Sequence, residues 1–324
     1  MQFENNYPLR KVTTLQIGGP AKKFVMAGSE DELKEAVTYA QREGMPHLLI
    51  GGGSNLLVAD EGIDCLIIKN EISGISVAHP RGEEMRLHLG GVTVNVKSGT
   101  PLQELVDYSI NQGLSGLQKL SGIPGTVGGA VYGNAGAYGQ TISDYITQVS
   151  VLNINNLTIQ QFNNSDCQFA YRDSIFKRNK FIILEISFEL EAGDKENLQR
   201  EAQETISKRL VKYPAGIKCP GSFFKNIVAS TLPKEILDKI PREKIVYGKL
   251  PAGTLLESVG AKGQSIDGIT IAPYHANLFI NEGKGTAKAF YDLAKTYALK
   301  VKAKFGITLE PEVQLINLPP LHKF

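Results

Sequence analysis

The sequence predicts an α+β protein of two or three packed subdomains. Three observations carry that prediction. Short apolar or alternating runs of strand length recur along the chain. Amphipathic stretches at helical spacing lie between them. A length of 324 residues also exceeds what one ordinary core organises. An apolar fraction of 42% and a charged fraction of 21% belong to a globular chain rather than a disordered or fibrous one.

The elements follow in order. KKFVMA (22–27) is a strand. Ser29 and Glu32 then form a capping box, Leu33, Ala36, Val37 and Ala40 line one helical face, and Gly44 supplies a left-handed stop. HLLI (47–50) is the next strand and runs straight into GGGSN. CLIIK, MRLHLGG (85–91) and VTVNV read as further strands. A helix is expected at 101–112, with Thr100 as its cap, Pro101 in its first turn, and Leu102, Leu105, Val106 and Ile110 on one face. A glycine-rich stretch follows at 113–139. Strands resume at QVSVLNI, LTIQQF and KFIILEISFEL, and a helix at 195–210 uses Leu198, Ala202, Ile206 and Leu210.

KYPAGIKCPG supplies loop residues that mark a boundary. The domains are read as 1–70, 71–207 and 208–324. The last carries a long helix at about 286–305, ended by Gly306 and followed by a closing strand in TLEPEVQLI.

Composition narrows the function. Lys plus Arg number 35 against 33 Asp plus Glu, a balance that gives little pull on a polyphosphate backbone, so nucleic acid is not the expected partner. MQFENNYPLRK lacks the apolar centre of a signal peptide, and no run is long and apolar enough to insert in a membrane. Cys65, Cys167 and Cys219 are scattered and never form a CxxC pair, which reads as reduced thiols in a cytoplasmic protein. No metal site is expected, because the histidines never pair at ligand spacing.

The glycine loops carry the chemistry. GGGSN at 51–55 lets successive amides converge on an anion, since no Cβ blocks a phosphate. Leu56 stands where a Rossmann fingerprint needs its third glycine, and NLLVAD looks extended, so this is not a standard nicotinamide site. A tight inter-strand turn is the plainer alternative. The second loop, 120–139, mixes glycines with Ile, Val, Ala and Tyr and has almost no charge. Such a loop is buried against something, and its amides need acceptors. A turn cluster packed on protein would also use glycine, but two such loops together suggest an extended dinucleotide.

IGGGSNLLV together with SGIPGTVGGAVYGNAGAYG resembles the FAD site of the UDP-N-acetylenolpyruvoylglucosamine reductases. These enzymes share the FAD-binding fold of vanillyl-alcohol oxidase and p-cresol methylhydroxylase. TTLQIGGPA (13–21) also matches, and the resemblance spans nearly the whole chain. It implies two FAD-binding subdomains and a C-terminal α+β substrate domain. It assigns Ile50, Gly51, Gly52, Gly53, Ser54, Asn55 and Leu56 of the first loop to noncovalent FAD. From the second loop it assigns Ser121, Gly122, Ile123, Pro124, Gly125, Thr126, Gly128 and Gly129, with Asn134, Gly136 and Ala137 beyond. NADPH is the implied reductant, UDP-N-acetylglucosamine enolpyruvate the substrate, and a monomer the expected state.

By the same resemblance Arg172 of YRDS steadies charge on the substrate's carboxylate side, where a lone arginine is otherwise a surface ion pair. Ser222 of GSFFKN is the proton donor to the α-carbon, where a serine is otherwise a cap or turn residue. Glu312 of LEPEV matches the catalytic glutamate. Strand alternation places it with Thr308, Glu310 and Gln314 on one face of TLEPEVQLI, and Glu310 is the neighbour with which it is most easily confused. Lys212 matches a lysine that meets the diphosphate. Lys225, Asn226 and His275 of YHANLFIN fall at substrate positions.

Two departures stand out. The stretch between Arg172 and Ser222 is too short for the tyrosine-bearing flap of the long-form enzymes. Residues 227–251 insert a lengthy segment that begins with Ile227 where the family has proline. Other readings are a flavin oxidase of the same fold and a non-catalytic nucleotide-binding module. A covalent flavin is not expected, because neither glycine loop holds His or Cys. Substrates are expected to bind in turn between domains, with ping-pong kinetics.

Overall fold

The computed structural model describes residues 1–78, 91–238 and 240–321. The strand expected in MRLHLGG (85–91) lies outside the described residues but for its last glycine. Contacts divide the chain into two compact units. One comprises 1–5, 23–52 and 65–211, and the other 6–22, 53–64 and 212–324.

In the first unit, helix Glu30–Arg42 buries Leu33, Ala36, Val37 and Ala40 against Val25, Leu66 and Ile68. Ser29 Oγ accepts the Glu32 amide at 3.2 Å, while the Glu32 carboxylate takes the amide of Gly28 at 2.7 Å rather than that of Ser29. Gly44 has φ +58, the left-handed conformation that ends a helix. The sheet beside this helix runs in the order Glu4–Pro8, Pro20–Ala27, Ile63–Asn70 and His47–Ile50, the last two parallel. Its last strand delivers the chain directly into the first glycine loop.

A second, antiparallel sheet runs Ile159–Asn163, Ile146–Asn153, Phe181–Ala192, Val92–Lys97 and Ile75–Ala78. Helix Leu102–Asn111 packs Leu102, Leu105, Val106 and Ile110 into the core of this sheet. Thr100 does not cap that helix. Pro101 holds the cap position, and the Thr100 hydroxyl accepts the Gly74 amide at 3.0 Å instead. The φ that proline fixes is already suited to the helix entry, and the hydroxyl is spent on the neighbouring loop. Helix Lys195–Lys212 buries Leu198, Ala202 and Thr205, but Leu210 is exposed because the apolar stripe stops before the last turn.

The second unit is built on helix Ala287–Phe305. Thr286 Oγ1 accepts the Ala289 amide at 3.1 Å, and the Asp60 carboxylate accepts those of Ala287 at 2.8 Å and Lys288 at 2.9 Å. That carboxylate satisfies donors left over by the helix and complements its dipole. Gly306 at φ +70 ends the helix. Strands Ser265–Ile266, Ile269–Ile271 and Phe279–Asn281 form an antiparallel sheet, and Leu56–Val58 pairs in parallel with Gln314–Ile316. The expected closing strand is therefore shorter than TLEPEVQLI. Pro311 has no amide to donate, and regular pairing begins only at Gln314.

The segment 227–251 closes on itself. Ile227–Val228 pairs with Lys249–Leu250, and Leu232, Ile236 and Ile240 pack on the second unit's core.

Residues 222–225 run between two other main-chain segments. Ser222 is bridged to Leu278 and Phe224 to Pro311. The Phe223 amide donates to Asn277 O at 3.0 Å and that of Lys225 to Glu310 O at 2.9 Å. Asn277, 2% exposed, closes the gap: its Oδ1 accepts the Phe224 amide at 2.9 Å and its Nδ2 donates to Phe224 O at 2.8 Å. Asn277→Ala strands a buried donor and a buried acceptor. It is expected to cost about 2–4 kcal/mol, read from urea unfolding of the purified protein. A loss within experimental error would show that Asn277 does not brace this segment.

Candidate active site

In the first unit the two glycine loops lie against each other. A Cβ on Gly51 would meet Thr126 Oγ1 at 2.3 Å, and one on Gly52 would meet Gly125 Cα at 2.8 Å. Gly125 has φ +114, a conformation that side chains strain to reach. Among the described residues, no backbone hydrogen bond engages the amides of Gly51, Gly52, Gly125 or Thr126. Gly128 packs on Ser98 with no space for a side chain, and Gly129 donates to Thr126 Oγ1 at 3.3 Å.

The other loop residues divide by role. Ser121 is fully buried and its hydroxyl donates to Gln118 O at 2.7 Å, so its side chain serves the protein itself. The Gly122 amide goes to Gln103 Oε1 at 2.6 Å, and Ile123 packs on the core. Gly136 and Ala137 pair with Thr141 and Gln140. Asn134, at φ 44, donates from Nδ2 to Ala170 O at 2.9 Å, while its buried Oδ1 has no partner among the described residues. Unengaged amides, side-chain-free close packing and an orphaned buried oxygen fit a large ligand rich in hydrogen-bonding groups, as FAD is.

Arg172 sits at φ 55 in this unit. Its Nη2 donates to Gly136 O at 2.9 Å and its Nη1 to Asn134 O at 3.4 Å, which ties the guanidinium to the second glycine loop. The Lys177 ammonium holds the Arg172 carbonyl at 2.7 Å.

In the second unit, Gly53 takes φ +63 with its Cα so close to Val12 that a Cβ would lie 1.8 Å from the Val12 carbonyl oxygen. Asn55 donates from Nδ2 to Glu312 O at 3.0 Å, and its own carbonyl accepts the Gln314 amide at 3.0 Å. Leu56 enters the parallel pairing with Gln314. The end of the first loop thus holds the main chain around Glu312.

Ser222 stands at the centre of a polar cluster. Lys212 Nζ donates to Ser222 Oγ at 3.2 Å, and the Tyr213 hydroxyl lies 3.2 Å from the same oxygen. The Lys212 ammonium also sits 5.0 Å from the centre of the Tyr213 ring, a cation–π distance. His275 belongs to the same neighbourhood. Burial first, then the positive charge of Lys212, pushes its imidazole down to about 4. Its Nδ1 accepts the Asn277 amide at 3.2 Å, which puts the single proton of the neutral ring on Nε2.

The two glutamates separate clearly. Glu310 is exposed and pairs with Lys225 at 3.3 Å, so Lys225 is engaged at the surface. Glu312 is half-buried, and its amide donates to Phe223 O at 2.7 Å, one residue beyond Ser222. Asn226 Oδ1 accepts the Ala252 amide at 3.2 Å at the start of helix Ala252–Ser258. Tyr213 and Asn277 also belong to this site and are not marked in the sequence, because a tyrosine before proline and an asparagine before leucine carry no local signal.

The family model described as UDP-N-acetylenolpyruvoylglucosamine reductase, C-terminal domain, matches residues 213–316, and an FAD binding domain model matches residues 21–161. The chain is 38% identical over 311 residues to the UDP-N-acetylenolpyruvoylglucosamine reductase of Solibacter usitatus (strain Ellin6076), covering 96% of this chain and 95% of that one. It is 34% identical over 313 residues to the enzyme of the same name from Bacillus subtilis (strain 168), covering 96% and 93%. The crystal structure of the reductase from Thermus caldophilus superposes with a TM-score of 0.71 at 28% identity, over 97% of this chain and 98% of that one. Among the described residues, no helix is long and apolar enough to cross a membrane. The chain belongs to the UDP-N-acetylenolpyruvoylglucosamine reductases, FAD-dependent oxidoreductases of peptidoglycan precursor synthesis.

Proposed function

We propose that this chain reduces the enolpyruvyl ether of UDP-N-acetylglucosamine to UDP-N-acetylmuramate, with Ser222 giving the proton to the α-carbon. FAD, when bound by the glycine loops, supplies a hydride drawn from NADPH to the terminal carbon of the enolpyruvyl group. That addition leaves an electron pair beside the substrate carboxylate. Arg172 is the group assigned to steady it, and Glu312 is assigned to the enolic intermediate as a hydrogen-bonding or proton-carrying group. An aliphatic alcohol is a weak acid, so Ser222 gives up its proton only where the oxygen left behind is stabilised.

The observation that supports this reading is the Lys212 ammonium at 3.2 Å from Ser222 Oγ. A charged donor held on that oxygen in a half-buried site favours the alkoxide, and charge-assisted hydrogen bonds are the stronger kind. An ammonium has three donors, so Lys212 can serve the serine and the diphosphate of a sugar nucleotide at once. His275, kept neutral with its proton on Nε2, offers the nucleotide a donor without adding charge. Lys225 and Asn226 complete the substrate side, where Asn226 also fixes the start of helix Ala252–Ser258.

Three outcomes test the reading. Ser222→Ala is expected to let NADPH reduce the flavin at the native rate while UDP-N-acetylmuramate formation stalls, followed by stopped-flow absorbance and by product assay. Product at the native rate would remove Ser222 from the reaction. Gly52→Ala places a methyl group 2.8 Å from the Gly125 main chain, so the purified variant should emerge largely colourless yet with native circular dichroism. A fully yellow Gly52→Ala protein would take the cofactor out of these loops.

The third outcome concerns acid. His275 titrates near 4 when folded and near 6.5 when unfolded, so its contribution to stability is complete above about pH 6.5 and is lost as pH falls toward 4. His275→Gln should therefore flatten the decline of urea stability between pH 6.5 and 4 relative to the native protein. Parallel curves would mean that the histidine charges freely in the fold.

A further inference from the structure

A serine hydroxyl has one hydrogen to give and two lone pairs to fill. Lys212 has only donors to offer, so its contact at 3.2 Å fills one lone pair of Ser222 Oγ. The Tyr213 hydroxyl at 3.2 Å can act in either sense, as donor to Oγ or as acceptor from it. If Tyr213 accepted, the serine hydrogen would be consumed inside the cluster and unavailable to a substrate.

We infer that Tyr213 donates to Ser222, so that both lone pairs of the serine are filled and its own hydrogen is aimed out of the cluster. This rests on the reading of Ser222 as the proton donor and adds to it a positioning residue that sets the direction of the proton. The tyrosine is well placed to hold that geometry. It follows Lys212 directly in sequence, its ring packs with Ile217 against Cys219, Ala272 and Leu278, and the Lys212 ammonium lies over its face at 5.0 Å. One aromatic ring thus fixes the hydroxyl and helps to hold the ammonium that share the serine oxygen. Ser222 is itself held by its bridge to Leu278, which belongs to the same small apolar cluster.

The test uses the full-length flavoprotein. Tyr213→Phe keeps the ring and the packing and removes only the donor. Under the inference kcat for product formation falls about 10-fold, the size of one lost hydrogen bond, while the KM for the enolpyruvyl nucleotide and the rate of flavin reduction by NADPH stay as in the native protein. A double variant with Ser222→Ala is no slower than Ser222→Ala alone, because Tyr213 acts only through the serine.

Native kcat in Tyr213→Phe, a raised KM with kcat unchanged, or additive losses in the double variant would each overturn the inference. If Ser222→Ala itself turns over at the native rate, the proton-donor reading falls, and the positioning role falls with it. Native turnover in Tyr213→Phe with a stalled Ser222→Ala removes the positioning role alone.

Discussion

Much of the second unit depends on one side chain placed where a strand neighbour would be. Asn277 uses its amide group as a peptide unit would, accepting from the Phe224 amide and donating to the Phe224 carbonyl. In a dry site neither main-chain group has water to turn to, so the pairing is obligatory rather than ornamental. With the main chain satisfied, Phe223 and Phe224 can both be buried, and the Phe223 ring lies 5.1 Å from Phe290 and 5.5 Å from Phe279. Ser222 and Lys225 flank this pair and are only half-buried. The serine therefore projects from a block whose position is set by aromatic packing, and its hydroxyl can be aimed by hydrogen bonds without the backbone giving way.

The charges around that serine follow from the same burial. Burial penalises a charge on the half-buried imidazole, and the Lys212 ammonium beside it adds to that penalty, so His275 is held as a neutral donor. The tyrosine ring under the ammonium offsets part of its desolvation without supplying a negative charge that would compete with the Ser222 hydroxyl for it. A carboxylate in that place would bind the lysine more strongly and leave the serine with less. Glu310, the acidic neighbour in sequence, is spent instead at the surface on Lys225.

The repetitive parts of the architecture were legible. Ser29, Leu33, Ala36, Val37 and Gly44 carry a helix with its start, face and stop in local sequence, and the glycine loops announce themselves by composition. The rest is decided by distant partners. Thr100 stands where a cap would before Pro101, but its hydroxyl goes to Gly74. TLEPEV alternates as a strand would, yet its main chain is held one residue at a time by Lys225, Phe223 and Asn55, so the alternation never becomes a ladder before Gln314. The same distance hid Asn277, whose partner Phe224 is remote in sequence. Glu312 was separable from Glu310 only by family resemblance, and burial separates them on physical grounds.

The segment at 227–251 is an excursion pinned where it leaves and returns. It leaves immediately after Asn226 and returns immediately before helix Ala252–Ser258, and Asn226 Oδ1 takes the amide of Ala252 across that mouth. The paired strands Ile227–Val228 and Lys249–Leu250 then close the stem, which needs an amide at 227 that proline would not have. Closing a loop costs free energy that grows only slowly with its length, so once the mouth is pinned the excursion beyond it is cheap. Leu232, Ile236 and Ile240 recover part of that cost by packing on the second unit's core. The amide of Ile227 is thus the donor that seals the stem.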